Sequence, residues 1–206
     1  MGTDNLEARY ACALTFAEMV DGAGTNVALW RALHAHARVP AEILARLAAL
    51  GGRWRLLVLN EDWCGDSVNT VPLMARLAEL APNVELRLVA RDQNLDLMDA
   101  HLTNGSRSIP YVIVLDEGYA ERGGWGPRPS VLQQWVIAEG LALPKEQRYA
   151  KVRQWYARDR GVSTLDELAT VLERAAASAS PPASPRPARL PPQAPPPSVP
   201  DVVAAP

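Results

Sequence analysis

One stretch constrains the fold of this chain more than any other. Residues 53–60 (Trp54, Leu56, Leu57, Val58 and Leu59) form a short apolar run after Gly51-Gly52, and a helix-forming stretch follows almost at once. The run is nearly continuous rather than alternating, the pattern of a strand buried on both faces. Residues 66–80 then place Val68, Val71, Leu73, Met74, Leu77 and Leu80 at the spacing of an amphipathic helix. Pro82-Asn83 turns the chain, and Val84, Leu86 and Leu88 alternate with Glu85 and Arg87 in a second strand, residues 84–89. Strand, helix and strand within about forty residues make a right-handed parallel unit. The chain is therefore expected to be α/β.

Between the first strand and its helix stands Asn60-Glu61-Asp62-Trp63-Cys64-Gly65-Asp66-Ser67, which puts a thiol at a strand-to-helix turn. Further on, a short helix near residues 95–102 precedes a strand over residues 109–115. Glu117-Gly118 and Gly123-Gly124 bracket a fourth strand, and Pro129-Ser130 opens a helix running to about Gly140. Upstream, residues 6–20 follow helical spacing until Gly22 and Gly24 break it. A second helix covers about residues 27–37, and Pro40 opens a third that stops at Gly51-Gly52. About residues 146–177 are again helical in pattern. From Ser178 the composition collapses into Pro, Ala and Ser, too poor in large apolar groups to offset ordering entropy. Four regions result: a helical layer over 1–51 packed on the core, a core over 52–140, a helical extension over 141–177, and a disordered, partly polyproline tail over 178–206. The Pro-x-x-Pro spacings make that tail a candidate for binding a partner.

With 21 basic against 23 acidic residues, no excess charge points to nucleic acid or an anionic membrane as partner. Asp4, Glu7 and Arg9 crowd the N-terminus without an apolar segment, and no stretch approaches a membrane span. Leu6 breaks the Met1-Gly2 myristoylation pattern. Two cysteines, Cys12 and Cys64, are too few for a disulfide scaffold and fit a reducing, cytoplasmic setting. Cys12 lies among Ala11, Ala13 and Leu14 and reads as a small buried residue. His34 and His36 are two apart on a helix, so they do not share a face, and no carboxylate or cysteine set completes a zinc site. Gly22-Ala23-Gly24 follows a helix rather than a strand and lacks the context of a nucleotide loop. No cofactor is expected.

Trp63-Cys64-Gly65-Asp66-Ser67 and Ser108-Ile109-Pro110, in this order of strands and helices, resemble the thioredoxin-like superfamily. With Arg91-Asp92 and Gly124-Trp125-Gly126-Pro127-Arg128-Pro129, they are similar to a bacterial group of thioredoxin-family proteins with a Trp-Cys-Gly-Asp motif. The resemblance implies an α/β thioredoxin-like fold: a central mixed four-stranded sheet flanked by helices, here with an N-terminal helical extension. It also implies that Cys64 is the reactive residue and that Pro110 is a cis-proline whose loop, with Ile109, faces the sulfur and holds an extended substrate backbone. Trp63 becomes a lid over the sulfur, Gly65 and Asp66 the first turn of the helix, and Trp125 and Arg128 flank a turn that edges the cleft or packs against it. Ser67 stands where thioredoxins carry a resolving cysteine, so an intramolecular disulfide is ruled out.

Only a thiolate attacks a disulfide, so the pKa of Cys64 matters. A helix N-terminus favours the anion by roughly 0.3–1 kcal/mol. Asp66, at ~7 Å, opposes it by roughly 0.6 kcal/mol in a water-like dielectric and about 2.4 kcal/mol at an effective value of 20. Glu61 and Asp62 add repulsion unless they face solvent. Ser67 can donate a hydrogen bond to the sulfur. In this fold the proline loop would bring Arg107 near, which predicts a modestly lowered Cys64 pKa. Three functions are compatible with these residues. The first is a monothiol thiol–disulfide oxidoreductase acting on a protein disulfide or a glutathione mixed disulfide, with an external resolving thiol. The second is a redox-inactive thioredoxin-fold adaptor. The third, suggested by similarity of the Cys-Gly-x-Ser spacing to monothiol glutaredoxins, is a glutathione or iron–sulfur cluster binder.

Overall fold

The computed structural model describes residues 6–179; the proposed tail lies almost wholly outside them. Four helices come first: α1 (Leu6–Cys12), α2 (Phe16–Asp21), α3 (Val27–His36) and α4 (Ala41–Ala48). The parallel unit follows as β1 (Trp54–Asn60), α5 (Gly65–Leu80) and β2 (Val84–Ala90). A 3-10 turn (Arg91–Gln93) leads to α6 (Leu95–Asp99), β3 (Tyr111–Leu115) and β4 (Glu121–Trp125). Then come α7 (Ser130–Ala138), α8 (Lys145–Asp159) and α9 (Val162–Ser178).

The strands form one mixed sheet in the order β2-β1-β3-β4. β1 runs parallel to β2 from Trp54 opposite Val84 to Asn60 opposite Ala90, and antiparallel to β3 with Leu57 opposite Ile113. β4 closes the sheet antiparallel to β3. This is the thioredoxin-like arrangement expected above, and β1 holds its centre because its side chains have partners on both faces. Leu56 and Val58 point into one cluster with Trp30, Leu47, Met74, Leu77, Leu165, Leu168 and Leu172. Leu57 and Leu59 point into the other with Leu6, Tyr10, Leu97, Met98, Ile113 and Cys64. Period-two alternation thus sorts one continuous apolar run into two cores.

Three elements differ from the periodicity. The helix expected over residues 6–20 is two helices, because Leu14 exchanges backbone hydrogen bonds with Leu88 on the sheet edge, at 2.9 and 2.8 Å. Thr15 then starts α2 with a capping box: its hydroxyl accepts from Glu18 N–H while Glu18 accepts from Thr15 N–H. The chain thereby crosses the sheet edge, with α1 in one core and Met19 and Val20 of α2 in the other. The long C-terminal helix is likewise interrupted, since Arg160 and Gly161 both adopt left-handed conformations. A Cβ on Gly161 would lie 2.3 Å from Leu73 Cδ1, so a side chain there would strain both turn and packing. The helix expected over 95–102 shrinks to α6, Leu95–Asp99.

Beyond residue 140 the chain divides by role. α9 buries Leu165, Leu168, Ala169 and Leu172 in the main core beside α3, α4 and α5. α7 and α8 pack on each other through Leu132, Val136, Val152 and Tyr156, a small cluster of their own.

Candidate functional site

Cys64 is the residue before the first turn of α5, with extended backbone (φ −78°, ψ 118°), and is only 8% exposed. Its S–H donates to Ile109 C=O at 3.4 Å. The Ile109–Pro110 peptide is cis, so this carbonyl belongs to the loop identified by resemblance. The turn at Gly126-Pro127, also cis, packs directly on that loop: a Cβ on Gly126 (φ 135°) would lie 2.2 Å from Pro110 O. No side chain fits there, and the close approach delivers Arg128 into the cleft.

Arg128 is the basic group that completes the site. Its Nη2 lies 2.6 Å from Asp66 Oδ2, and Tyr156 on α8 donates to Asp66 Oδ1 at 2.9 Å. Burial pushes the Asp66 carboxyl up, and the guanidinium and the phenol pull against it. Asp66 in turn pushes the Tyr156 hydroxyl up, adding to burial.

Burial is also the largest influence on Cys64 and pushes the thiol up; Asp66 adds to this, while the Ser67 hydroxyl and the Ser67 and Asp66 N–H groups favour the thiolate. The modestly lowered pKa expected from sequence is therefore overturned, because burial outweighs the helix terminus. The Ser67 hydroxyl is fully buried and has no hydrogen-bond partner among the described residues. It favours the Cys64 thiolate. Arg107 does not play the part expected of it: its Nε and Nη2 donate to Asp99 at 2.6 and 2.8 Å, and the cation it was expected to supply beside the motif is Arg128.

The remaining predicted residues sort clearly. Trp63 is 51% exposed, with the Arg91 guanidinium 5.0 Å from its ring centre. Gly65 begins α5 and has open space where a Cβ would be, so no close packing requires glycine there. Ile109 and Pro110 are buried beside the sulfur. Trp125 is a packing residue rather than a cleft wall: it is buried, and its Nε1 donates to Glu167 Oε2 at 2.8 Å. Cys12 is exposed, not buried, and both cysteines are free. The carboxylates before the motif face neither sulfur nor solvent alone. Asp62 Oδ2 accepts from Gly24 N–H at 2.7 Å and Thr25 N–H at 3.0 Å, and Asp62 C=O accepts from Trp30 Nε1 at 3.2 Å. Glu61 accepts from Asp92 N–H at 2.8 Å.

A cleft of about 600 Å³ opens over the sulfur, walled by the motif, Arg107-Ser108-Ile109, Arg128 and one face of α8. Sequence reasoning read this stretch as helical but assigned none of it, Tyr156 included, to the site. The signal was present: Lys145, Arg148, Val152, Arg153 and Tyr156 share one helical face. Among the described residues no three His, Cys, Asp or Glu side chains stand together as a metal site, and no helix is long and apolar enough to cross a membrane.

The model of a family described as thioredoxin matches residues 13–148. Among solved structures, the chain is similar to a protein of unknown function from Pseudomonas aeruginosa, with a TM-score of 0.65 and 24% identity over 81% of this chain and 96% of that one. It is also similar to an HIV epitope-scaffold, with a TM-score of 0.64 and 22% identity over the same shares. At such identities the likeness is one of fold. No curated protein matches the chain.

Proposed function

The chain belongs to the thioredoxin family, and from that premise we propose that it is a monothiol thiol–disulfide oxidoreductase of the bacterial Trp-Cys-Gly-Asp group, acting in the cytoplasm. The observation that carries this reading is the placement of Cys64: its sulfur sits at a helix N-terminus, against Ile109 C=O, at the wall of a cleft, with Ser67 beside it.

The Cys64 thiolate attacks the glutathione sulfur of a mixed disulfide R–S–S–G, forming Cys64–S–S–G and expelling R–S⁻. A second glutathione thiolate then attacks the glutathione sulfur of that bond, forming G–S–S–G and restoring the Cys64 thiolate. The substrate sulfur is reduced to R–SH, the incoming glutathione is oxidised as it joins the first in G–S–S–G, and its proton ends on R–S⁻. Ser67 and the first N–H groups of α5 stabilise the sulfur when it is anionic. The backbone of Ser108-Ile109 pairs with an extended substrate, and Trp63 covers the exposed side.

The burial that pushes the Cys64 thiol up favours a second reading, a redox-inactive adaptor. Turnover of a glutathione mixed disulfide by the wild type and by Cys64→Ser separates the two. Turnover lost in the variant supports the oxidoreductase, and equal background rates support the adaptor.

A further inference from the structure

The wall of the cleft carries far more positive charge than a chain with a formal charge of −2 would lead one to expect. Six basic side chains line it (Arg91, Arg107, Arg128, Lys145, Arg148 and Arg153), against one carboxylate, Asp66. Three of the six are paired: Arg91 with Asp92 at 2.7 Å, Arg107 with Asp99 at 2.6 Å, and Arg128 with Asp66 at 2.6 Å. Lys145, Arg148 and Arg153 have no carboxylate at ion-pair distance among the described residues, although α8 also carries Glu146 and Asp159.

Helix geometry explains why these three face one way. Lys145, Arg148, Val152 and Arg153 lie at i, i+3, i+7 and i+8, and the same face buries Val152 and Tyr156, the latter against Asp66. The buried pair fixes the rotation of α8, which turns the unpaired cations into the cleft that Cys64 also lines. Tyr149 sits between two of them, with Lys145 Nζ 5.6 Å and the Arg148 guanidinium 5.5 Å from its ring centre. Cations gathered on the wall of a concave site raise the local concentration of an anion. The volume is that of a small-molecule site rather than of a groove for a folded partner.

We propose that this cleft binds a low-molecular-weight anionic thiol of the glutathione class, its carboxylates held by Lys145, Arg148 and Arg153 while its sulfur meets Cys64. The inference rests on the oxidoreductase reading for its chemistry and deepens it by naming the residues that hold the resolving thiol. Cys64 has no second cysteine on α5, and Cys12 is exposed on α1, so the resolving thiol comes from outside and enters beside these charges.

The test compares Cys64 exchange rates with glutathione disulfide, which is anionic, and 2-hydroxyethyl disulfide, which is neutral. It uses the wild type and the triple variant Lys145→Gln, Arg148→Gln, Arg153→Gln. Taking the ratio of the two rates within each protein cancels any change in the thiol itself. The ratio is expected to fall about tenfold in the variant, and in the wild type at about 0.5 M salt, as screened charges would. An unchanged ratio overturns the proposal, as does acceleration confined to the disulfide of an acidic peptide. Calorimetry with S-methylglutathione, which cannot exchange, separates the site from the chemistry. Binding that weakens at least about fivefold in the variant keeps the anion site even if Cys64 reacts with no disulfide, and then only the oxidoreductase reading fails. Binding equal in the two proteins removes the site whatever the turnover.

Discussion

Arg128 Nη2 and Asp66 Oδ2 meet at 2.6 Å beside Cys64, joining the loop before α7 to the first turn of α5. Asp66 pushes the Cys64 thiol up and Arg128 offsets its charge, so the pair tunes the thiol beneath the larger effect of burial. Asp66→Asn removes the repulsion and leaves the guanidinium unopposed. The pH midpoint of iodoacetamide alkylation of Cys64 is expected to fall by about one unit. Arg128→Ala leaves a buried carboxylate uncompensated. It is expected to raise the midpoint and to cost about 3 kcal/mol in urea unfolding.

Ser67 stands in the first turn of α5, fully buried, its hydroxyl without a hydrogen-bond partner among the described residues, and it favours the Cys64 thiolate. Ser67→Ala is expected to raise the Cys64 midpoint further. Ser67→Cys places a second thiol where the hydroxyl was. After mild oxidation it is expected to lose both of these thiols to titration with a thiol reagent, and the reduced variant should reduce one equivalent of a disulfide without an added monothiol. Two free thiols at these positions after oxidation would show that the first turn of α5 does not bring the sulfurs into bonding geometry.

Because burial holds the Cys64 thiol above its ordinary value, the thiolate fraction is small at neutral pH. Alkylation of Cys64 is expected to climb steadily through the alkaline range. A plateau already reached by pH 7 would contradict the dominance of burial.

His101 is buried with both ring nitrogens facing acceptors, Nδ1 at 2.7 Å from Leu97 C=O and Nε2 at 3.2 Å from the Glu121 carboxylate. Both contacts raise its pKa, so the folded state binds the proton more tightly than the unfolded one. The stabilisation is complete below the ordinary imidazole value of 6.5 and is lost as pH rises through the folded value. The urea midpoint is expected to drop over that interval in the wild type and to stay flatter in His101→Gln. Parallel pH profiles of the two proteins would rule out this linkage.

Arg46 of α4 reaches three residues of α9: Glu173 at 2.7 and 2.8 Å, Asp166 at 2.6 Å and Thr170 at 3.0 Å. The group is partly exposed, so solvent screens it. Arg46→Ala is expected to cost about 1 kcal/mol in urea unfolding, and Arg46→Lys should recover only part because an ammonium cannot serve Glu173 in two-point fashion.

The central part of the fold was legible because it is written in local pattern. A continuous apolar run, a helical stripe and an alternating strand are sufficient for β1, α5 and β2, and Trp63-Cys64-Gly65 marks where they join. The break at Leu14 was less visible, since residues 6–20 keep helical spacing through it. The Thr15-Phe16-Ala17-Glu18 capping signature was the local clue. The partners of Cys64 were hidden for a different reason. Arg128 reaches Asp66 only because Gly126 lets two turns touch, and Arg107 is drawn away by Asp99, neither of which any periodicity encodes. Trp125 likewise reads as a cleft residue until Glu167 of α9 takes its indole N–H.

The hold of Gly24, Thr25 and Trp30 on Asp62 has a consequence for transplantation. The Cys64 loop is anchored at its entry by the turn between α2 and α3 and by Trp30 of α3, and at its exit by Tyr156 from α8. A graft of the bare sheet with α5 into another scaffold would therefore carry the cysteine without its footing. In this protein the Cys64 loop belongs to the whole chain, not to the minimal unit that bears its signature.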